Sequence, residues 1–148
     1  MTYLELMESA AEYIEDAQPK ANSSLVVANI MRPVCKDLAQ ETFFVLTLTT
    51  KYDLIKIHAV TKGLSDRSHV HAREVFRVAI LDNACAVVLC HNHPSGDPKP
   101  SSQDITITEN LVKAGEILGI EVLDHVIMGK KTTERHSDYI SVKEDGRI

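Results

Sequence analysis

Three side chains in this 148-residue sequence combine metal-ligand chemistry with a usable spacing: His91, His93 and Asp104. They bound the segment H-N-H-P-S-G-D-P-K-P-S-S-Q-D. Side chains two apart on a strand point to one face, so an extended His-x-His projects both imidazoles together. On a helix the same spacing would splay them by ~200°. Pro94 stops a strand that ends here, and the loop holding Gly96, Pro98 and Pro100 can fold back to carry Asp104 to the rings. Two neutral imidazoles and a carboxylate suit Zn²⁺, one ion per chain. Three protein ligands leave a fourth position for water, the pattern of a catalytic rather than a structural site. Blander readings stand beside this one. Ser101 with Asp104 three residues on resembles a helix capping box, and each histidine alone fits a polar turn.

The elements that must position these groups follow from periodicity. Residues 2–16 carry Leu4, Met7, Ala11 and Ile14 at three- and four-residue steps between acids, an amphipathic helix. Gln18-Pro19-Lys20 breaks it, and Asn22-Ser23-Ser24 offers a cap for a second helix striped by Val26, Ile30, Val34 and Leu38. Pro33 predicts a kink or a fresh start there. Residues 42–50 and 54–60 read as antiparallel strands about a turn at Lys51-Tyr52-Asp53. Residues 63–68 read as loop and 70–81 as helix. Residues 84–90, apolar throughout, read as a central strand covered on both faces, with Cys85 and Cys90 buried in it. Residues 101–118 form the longest predicted helix, stopped by Gly119. Residues 121–128 are a strand, 139–142 a last short one, and 129–138 a mobile polar connection between them. This order predicts an α/β chain of α+β type, a mixed sheet flanked by helices. Residues 1–20 would be an N-terminal helix and 21–148 one domain.

The His91–Asp104 segment fits the JAMM pattern of metal-dependent peptidases: H-x-H-P, six residues, then S-x-x-D. The wider chain resembles the RadC family of bacterial proteins, which carry a JAB/JAMM domain. The resembling stretches are residues 24–33, Glu41-Thr42-Phe43, Gly63-Leu64, H-A-R-E-V-F at 71–76, the His-x-His loop, and Leu123-Asp124-His125. Ala72 stands where the family usually has Pro, which touches only a helix start. Many RadC proteins begin with a DNA-binding helix-hairpin-helix module. About twenty residues precede the resembling region here, so the expectation is that this module is missing and a DNA-repair role is weakened.

The resemblance implies an MPN-like fold, layered as in cytidine deaminases, and zinc on His91, His93 and Asp104. It also implies a glutamate that binds the attacking water and shuttles its proton. In JAMM enzymes this residue ends an early helix just before the first strand, the place that Glu41 holds. Glu74 is the alternative, because a helix over 70–81 running antiparallel to the next strand starts near His91. Ser101, eight residues past His93, would donate to the oxyanion, worth ~3 kcal/mol. His71 faces the site from its helix start and can touch substrate. Asp124 and His125 interrupt an apolar strand, and buried charge needs partners, so the pair is assigned to orienting the ligands, with a strand-end residue facing solvent as the alternative. Asn92, on the other face of the strand, is assigned to loop architecture, and His58, His69 and His136 to the surface.

The expected activity is hydrolysis of a peptide or isopeptide-type amide. The alternative is a zinc-holding module that acts through protein or DNA partners. Apolar residues make up 44% and charged residues 25% of the chain, ordinary for a globular fold. With 16 Lys+Arg against 21 Asp+Glu the net charge is -5, which disfavours dedicated nucleic-acid binding; only Lys130, Lys131 and Arg135 form a basic cluster. No apolar run approaches the ~20 residues of a membrane helix, and the acidic start is unlike a secretion signal. Three cysteines without C-x-x-C spacing argue against disulfides and for the cytoplasm. The H-x-E and P-C-x-x-C of a zinc deaminase and the G-x-S-x-G of a serine hydrolase are absent. The N-terminal helix is the candidate homodimer contact.

Overall fold

The computed structural model describes residues 2–7, 19–62 and 70–148. The strands are β1 (Thr42–Leu48), β2 (Leu54–Lys62), β3 (Ala86–Asn92), β4 (Glu121–Met128) and β5 (Tyr139–Ser141). They form one sheet in the order β2-β1-β3-β4-β5. The β3–β4 pair is parallel and the others are antiparallel. Helix α1 (Ser24–Cys35) packs on one face, and α2 (Ala72–Leu81) and α3 (Ser102–Leu118) on the other.

Strands β1 and β3 are buried at every position, as central strands under two layers must be, and this explains their unbroken apolar runs. Phe44, Leu46, Leu48, Val88 and Cys90 meet Val27, Met31 and Val34 of α1. Phe43, Val45, Val87 and Leu89 meet Val75, Phe76 and Leu111 of the other layer. Alternation then places Glu41, Phe43 and His91 on the α2/α3 face, where α3 begins. Because β1 and β3 are antiparallel, with Phe43 opposite His91, the start of one lies beside the end of the other.

Several expectations need correction. Helix α1 passes through Pro33 to Cys35 without a break. Pro33 and Asn29, whose carbonyl loses its helical donor, are both exposed, so water can satisfy that group. Its buried face runs through Val27, Ala28, Met31 and Val34, because mixed three- and four-residue steps track the helix better than a strict four-residue step. Cys85 precedes β3 and is exposed, whereas Cys90 is buried. The connection after β4 is pinned rather than mobile: Gly129 N–H donates to Asp138 O and Lys130 N–H to Gly96 O. Gly119 ends α3 with φ 74°, as its residue type required. Residues 3–7 are helical, and Tyr3 stacks on Phe44 at 6.2 Å. Residues 8–18 of the expected helix, the 63–68 loop and His69 lie outside the described residues. Among the described residues no helix is long and apolar enough to cross a membrane.

His58 is not a bare surface residue. Its Nε2 lies 2.6 Å from Asp82 Oδ2, which also accepts from Thr47 Oγ1 at 2.7 Å. Burial alone would raise the Asp82 pKa, but the His58 and Thr47 hydrogen bonds outweigh it and hold the carboxyl below its usual range. A depressed folded pKa contributes stability above the unfolded value and loses it as pH falls through the folded one. Asp82→Asn is therefore expected to cost about 1–2 kcal/mol at neutral pH. The two stability curves should converge as pH falls through the folded-state pKa of Asp82, below its ordinary value. Urea denaturation across a pH series checks this; parallel curves would refute it.

Candidate metal centre

Donor atoms of Glu41, His91, His93 and Asp104 all lie within 4.8 Å of one another. His91 is the last but one residue of β3, on the α2/α3 face, and His93 is the first residue past the strand. His93 is held there by its own N–H to Met128 O at 2.8 Å. Asp104 stands in the first turn of α3. Its carboxylate oxygens are 3.4 Å from His91 Nε2 and 3.2 Å from His93 Nε2. Glu41 Oε1 is 3.5 Å from His91 Nε2 and 3.9 Å from His93 Nε2. Glu74 sits in the first turn of α2 and is not part of this group.

The capping reading of Asp104 holds as well. Ser101 Oγ accepts from Asp104 N–H at 3.1 Å, and Asp104 Oδ2 accepts from Ser101 N–H at 2.8 Å. One carboxylate thus closes the helix start and faces the histidines, so the helix end itself fixes where the acid points.

Hydrogen-bond logic fixes the tautomers. His93 Nδ1 lies 2.7 Å from the Asp97 carbonyl oxygen, which only accepts, so Nδ1 carries the proton. On the other side, Thr108 Oγ1 donates to the Asp104 carbonyl at 2.7 Å and lies 2.6 Å from His125 Nδ1. With its one proton spent, the hydroxyl accepts from His125 Nδ1–H. His125 Nε2 then accepts from His91 Nδ1 at 2.7 Å. Both ligand histidines, in their neutral forms, therefore present Nε2 lone pairs to each other across 2.9 Å. Two lone pairs at that distance repel unless a cation lies between them. The set fits a divalent metal that takes nitrogen and oxygen donors.

The electrostatics agree. Burial would raise the Asp104 pKa, but hydrogen bonds to His91 and His93 hold it far below the usual carboxylate range. Burial would lower that of His93, yet Asp104 and the Asp97 carbonyl raise it on balance. His125 is fully enclosed, and burial, reinforced by His91, pushes its pKa well down, so it stays neutral. Phe43 walls the cluster, stacking on His91 at 5.9 Å and meeting His125 edge-on at 5.5 Å.

Asp124 does not join His125. It lies on the α1 face, where Oδ2 accepts from Ser141 Oγ at 2.6 Å and Oδ1 from His125 N–H and Lys143 N–H. Strand alternation separates neighbours, so only one of the two residues can face the metal centre. Asn92 does more than shape its loop. Its Oδ1 accepts from Thr42 N–H at 2.8 Å and its Nδ2 donates to Gln40 O at 3.1 Å, gripping the backbone on both sides of Glu41. Alternation located its side chain correctly but could not name these partners. Thr108, four residues after Asp104, was missed, although i+4 spacing on a helix was an available signal. His71 stands at the N-cap position of α2, its side chain making no capping hydrogen bond, and lines a cavity of about 530 Å³ with Val70, Ser102 and Gln103. His136 is exposed.

A mixed sheet under helices, with a His-x-His strand end facing an acidic helix start and a glutamate before the first strand, is the arrangement of a JAB-type domain. The profile of the RadC-like JAB domain matches residues 21–147, and the chain belongs to that family. It is similar to a UPF0758 protein of Methanosarcina mazei, with 39% identity over 144 residues, 97% of this chain and 60% of the relative. A UPF0758 protein of Methanococcoides burtonii is 41% identical over the same shares. One of Alkaliphilus oremlandii is 47% identical over 118 residues, 80% of this chain and 48% of the relative. The chain thus spans 60% or less of the length of these relatives.

Proposed function

We propose that the protein is a zinc-dependent hydrolase that cleaves a peptide or isopeptide-type amide. The observation that carries this is the pair of Nε2 lone pairs facing each other beside Asp104, with Glu41 alongside. His91, His93 and Asp104 would hold the ion. Zinc bound there lowers the pKa of water and polarises a carbonyl.

The chain's own groups supply the rest. Glu41 accepts the proton of the attacking water and returns it to the departing amine. Its position depends on Asn92, which fixes the backbone at Gln40 and Thr42. Ser101 Oγ donates a hydrogen bond to the developing oxyanion. Its capping bond to Asp104 N–H uses an oxygen lone pair and is compatible with that donation. His125 and Thr108 keep His91 in the tautomer that offers Nε2. His71, in the adjoining cavity, contacts substrate beyond the reacting atoms. Free Cys35, Cys85 and Cys90 fit a reducing cytoplasm.

A peptide-library cleavage screen on zinc-loaded protein tests the reading. Cleavage is expected that chelator abolishes and added zinc restores. Zinc-loaded protein that cleaves no peptide, or cleavage untouched by chelator, would overturn it.

A further inference from the structure

His93 and Asn92 form one end of a groove of about 380 Å³ between the end of α1 and the turn after β4. Its apolar lining includes buried Met128, half-buried Leu38 and exposed Pro94. Its rim carries Lys36, Lys130 and Lys131, all exposed. Arg32 also lines it, but binds both carboxylate oxygens of Asp138 at 2.6 and 3.1 Å and adds no uncompensated charge. Three lysines beside a metal-ligand histidine are a local reversal in a chain whose net charge is -5. Two of them stand on a fixed support. Lys130 N–H donates to Gly96 O at 2.7 Å. A Cβ at Gly129 would collide with that same carbonyl oxygen, so the turn can pack this closely only with glycine.

An apolar lining beside a cationic rim matches a side chain with methylenes at its base and a carboxylate at its tip. We infer that this groove is the subsite for an acidic residue, best a glutamate, flanking the amide cleaved at the metal centre. Its methylenes lie on Leu38 and Met128, and its carboxylate lies among Lys36, Lys130 and Lys131. A nucleic acid fits less well. Among the described residues, no Phe, Tyr or Trp lines the groove to stack a base. The inference takes its substrate class from the hydrolase proposed above, but its binding step can be measured without turnover.

The test uses two fluorescein-labelled peptides, Ala-Leu-Glu-Gly-Ala-Ala and its Gln twin, with the zinc-loaded full chain. Fluorescence anisotropy is expected to give about fivefold tighter binding of the Glu peptide, as several partly screened rim charges would supply. Added salt should erode the preference, and K130Q/K131Q should remove it. K36Q, on a different element, should reduce it and guards against a local folding effect. Equal binding of the twins, or a preference that survives in K130Q/K131Q, would overturn the subsite. So would an oligo-dT that binds tighter than the Glu peptide and loses affinity in the same variant. Failure to cleave either peptide would count against the hydrolase alone, because the anisotropy comparison still decides the groove.

Discussion

Asp104→Asn is expected to abolish zinc retention while leaving the fold in place. The carboxylate has two tasks that this substitution separates. As the third residue of α3 it accepts from Ser101 N–H at 2.8 Å, and an asparagine oxygen can do the same, so the capping contribution of about 1 kcal/mol is largely kept. As a metal ligand it would supply the negative charge beside two neutral imidazoles, and an amide cannot. The asparagine NH₂ would instead take the Oδ1 place, 3.4 Å from His91 Nε2, and donate toward a lone pair that otherwise calls for a cation. Zinc affinity should fall by at least about 100-fold, since even residues behind the ligands cost up to that much when removed. Elemental analysis after dialysis should read about one zinc per chain in the wild type, the stoichiometry of a mononuclear site, and close to none in the variant. Thermal melts of the two proteins in chelator should nearly coincide. A variant that keeps its zinc would break the ligand assignment, and one that unfolds would make the carboxylate primarily structural.

The His91–Asp104 segment was legible because its constraint is local: strand alternation, a proline stop and a helix cap each depend on neighbours in sequence. The order of strands and helices was legible for the same reason, since β1 and β3 announce two-sided burial by their apolar runs. What sequence periodicity could not supply were contacts set by the closing of the sheet. The link from Asn92 to Gln40 and Thr42 joins residues about fifty apart and exists only because β1 and β3 are antiparallel neighbours. The pair Asp124-His125 was read as one unit, yet adjacent strand residues face opposite layers, and only His125 reaches His91. His58 looked like a surface residue until the end of α2 brought Asp82 to it. Pro33 looked like a break because propensity does not record that Asn29, whose carbonyl it frees, is exposed.

The choice between Glu41 and Glu74 shows the same limit, and it carries the second large effect. Spacing allowed either glutamate, since both elements end near His91. The fold puts Glu41 Oε1 at 3.5 Å from His91 Nε2 and leaves Glu74 in the first turn of α2, outside the cluster. Glu41→Gln preserves shape and hydrogen-bonding reach but cannot take a proton, so zinc content should match the wild type. Amide hydrolysis should fall by about 10²–10⁴-fold, the usual range for loss of a positioned general base. Glu74→Gln should change neither. Asn92→Ala tests how the base is held: it leaves Glu41 chemically intact but frees the backbone on both sides of it. Hydrolysis should drop less than in Glu41→Gln, with zinc again retained. The pattern separates proton transfer from metal binding, because loss of His91, His93 or Asp104 should lower zinc and activity together, whereas loss of Glu41 should lower activity alone. Hydrolysis that survives Glu41→Gln but is lost in Glu74→Gln would move the base to α2 and require that helix start to approach the histidines when substrate binds.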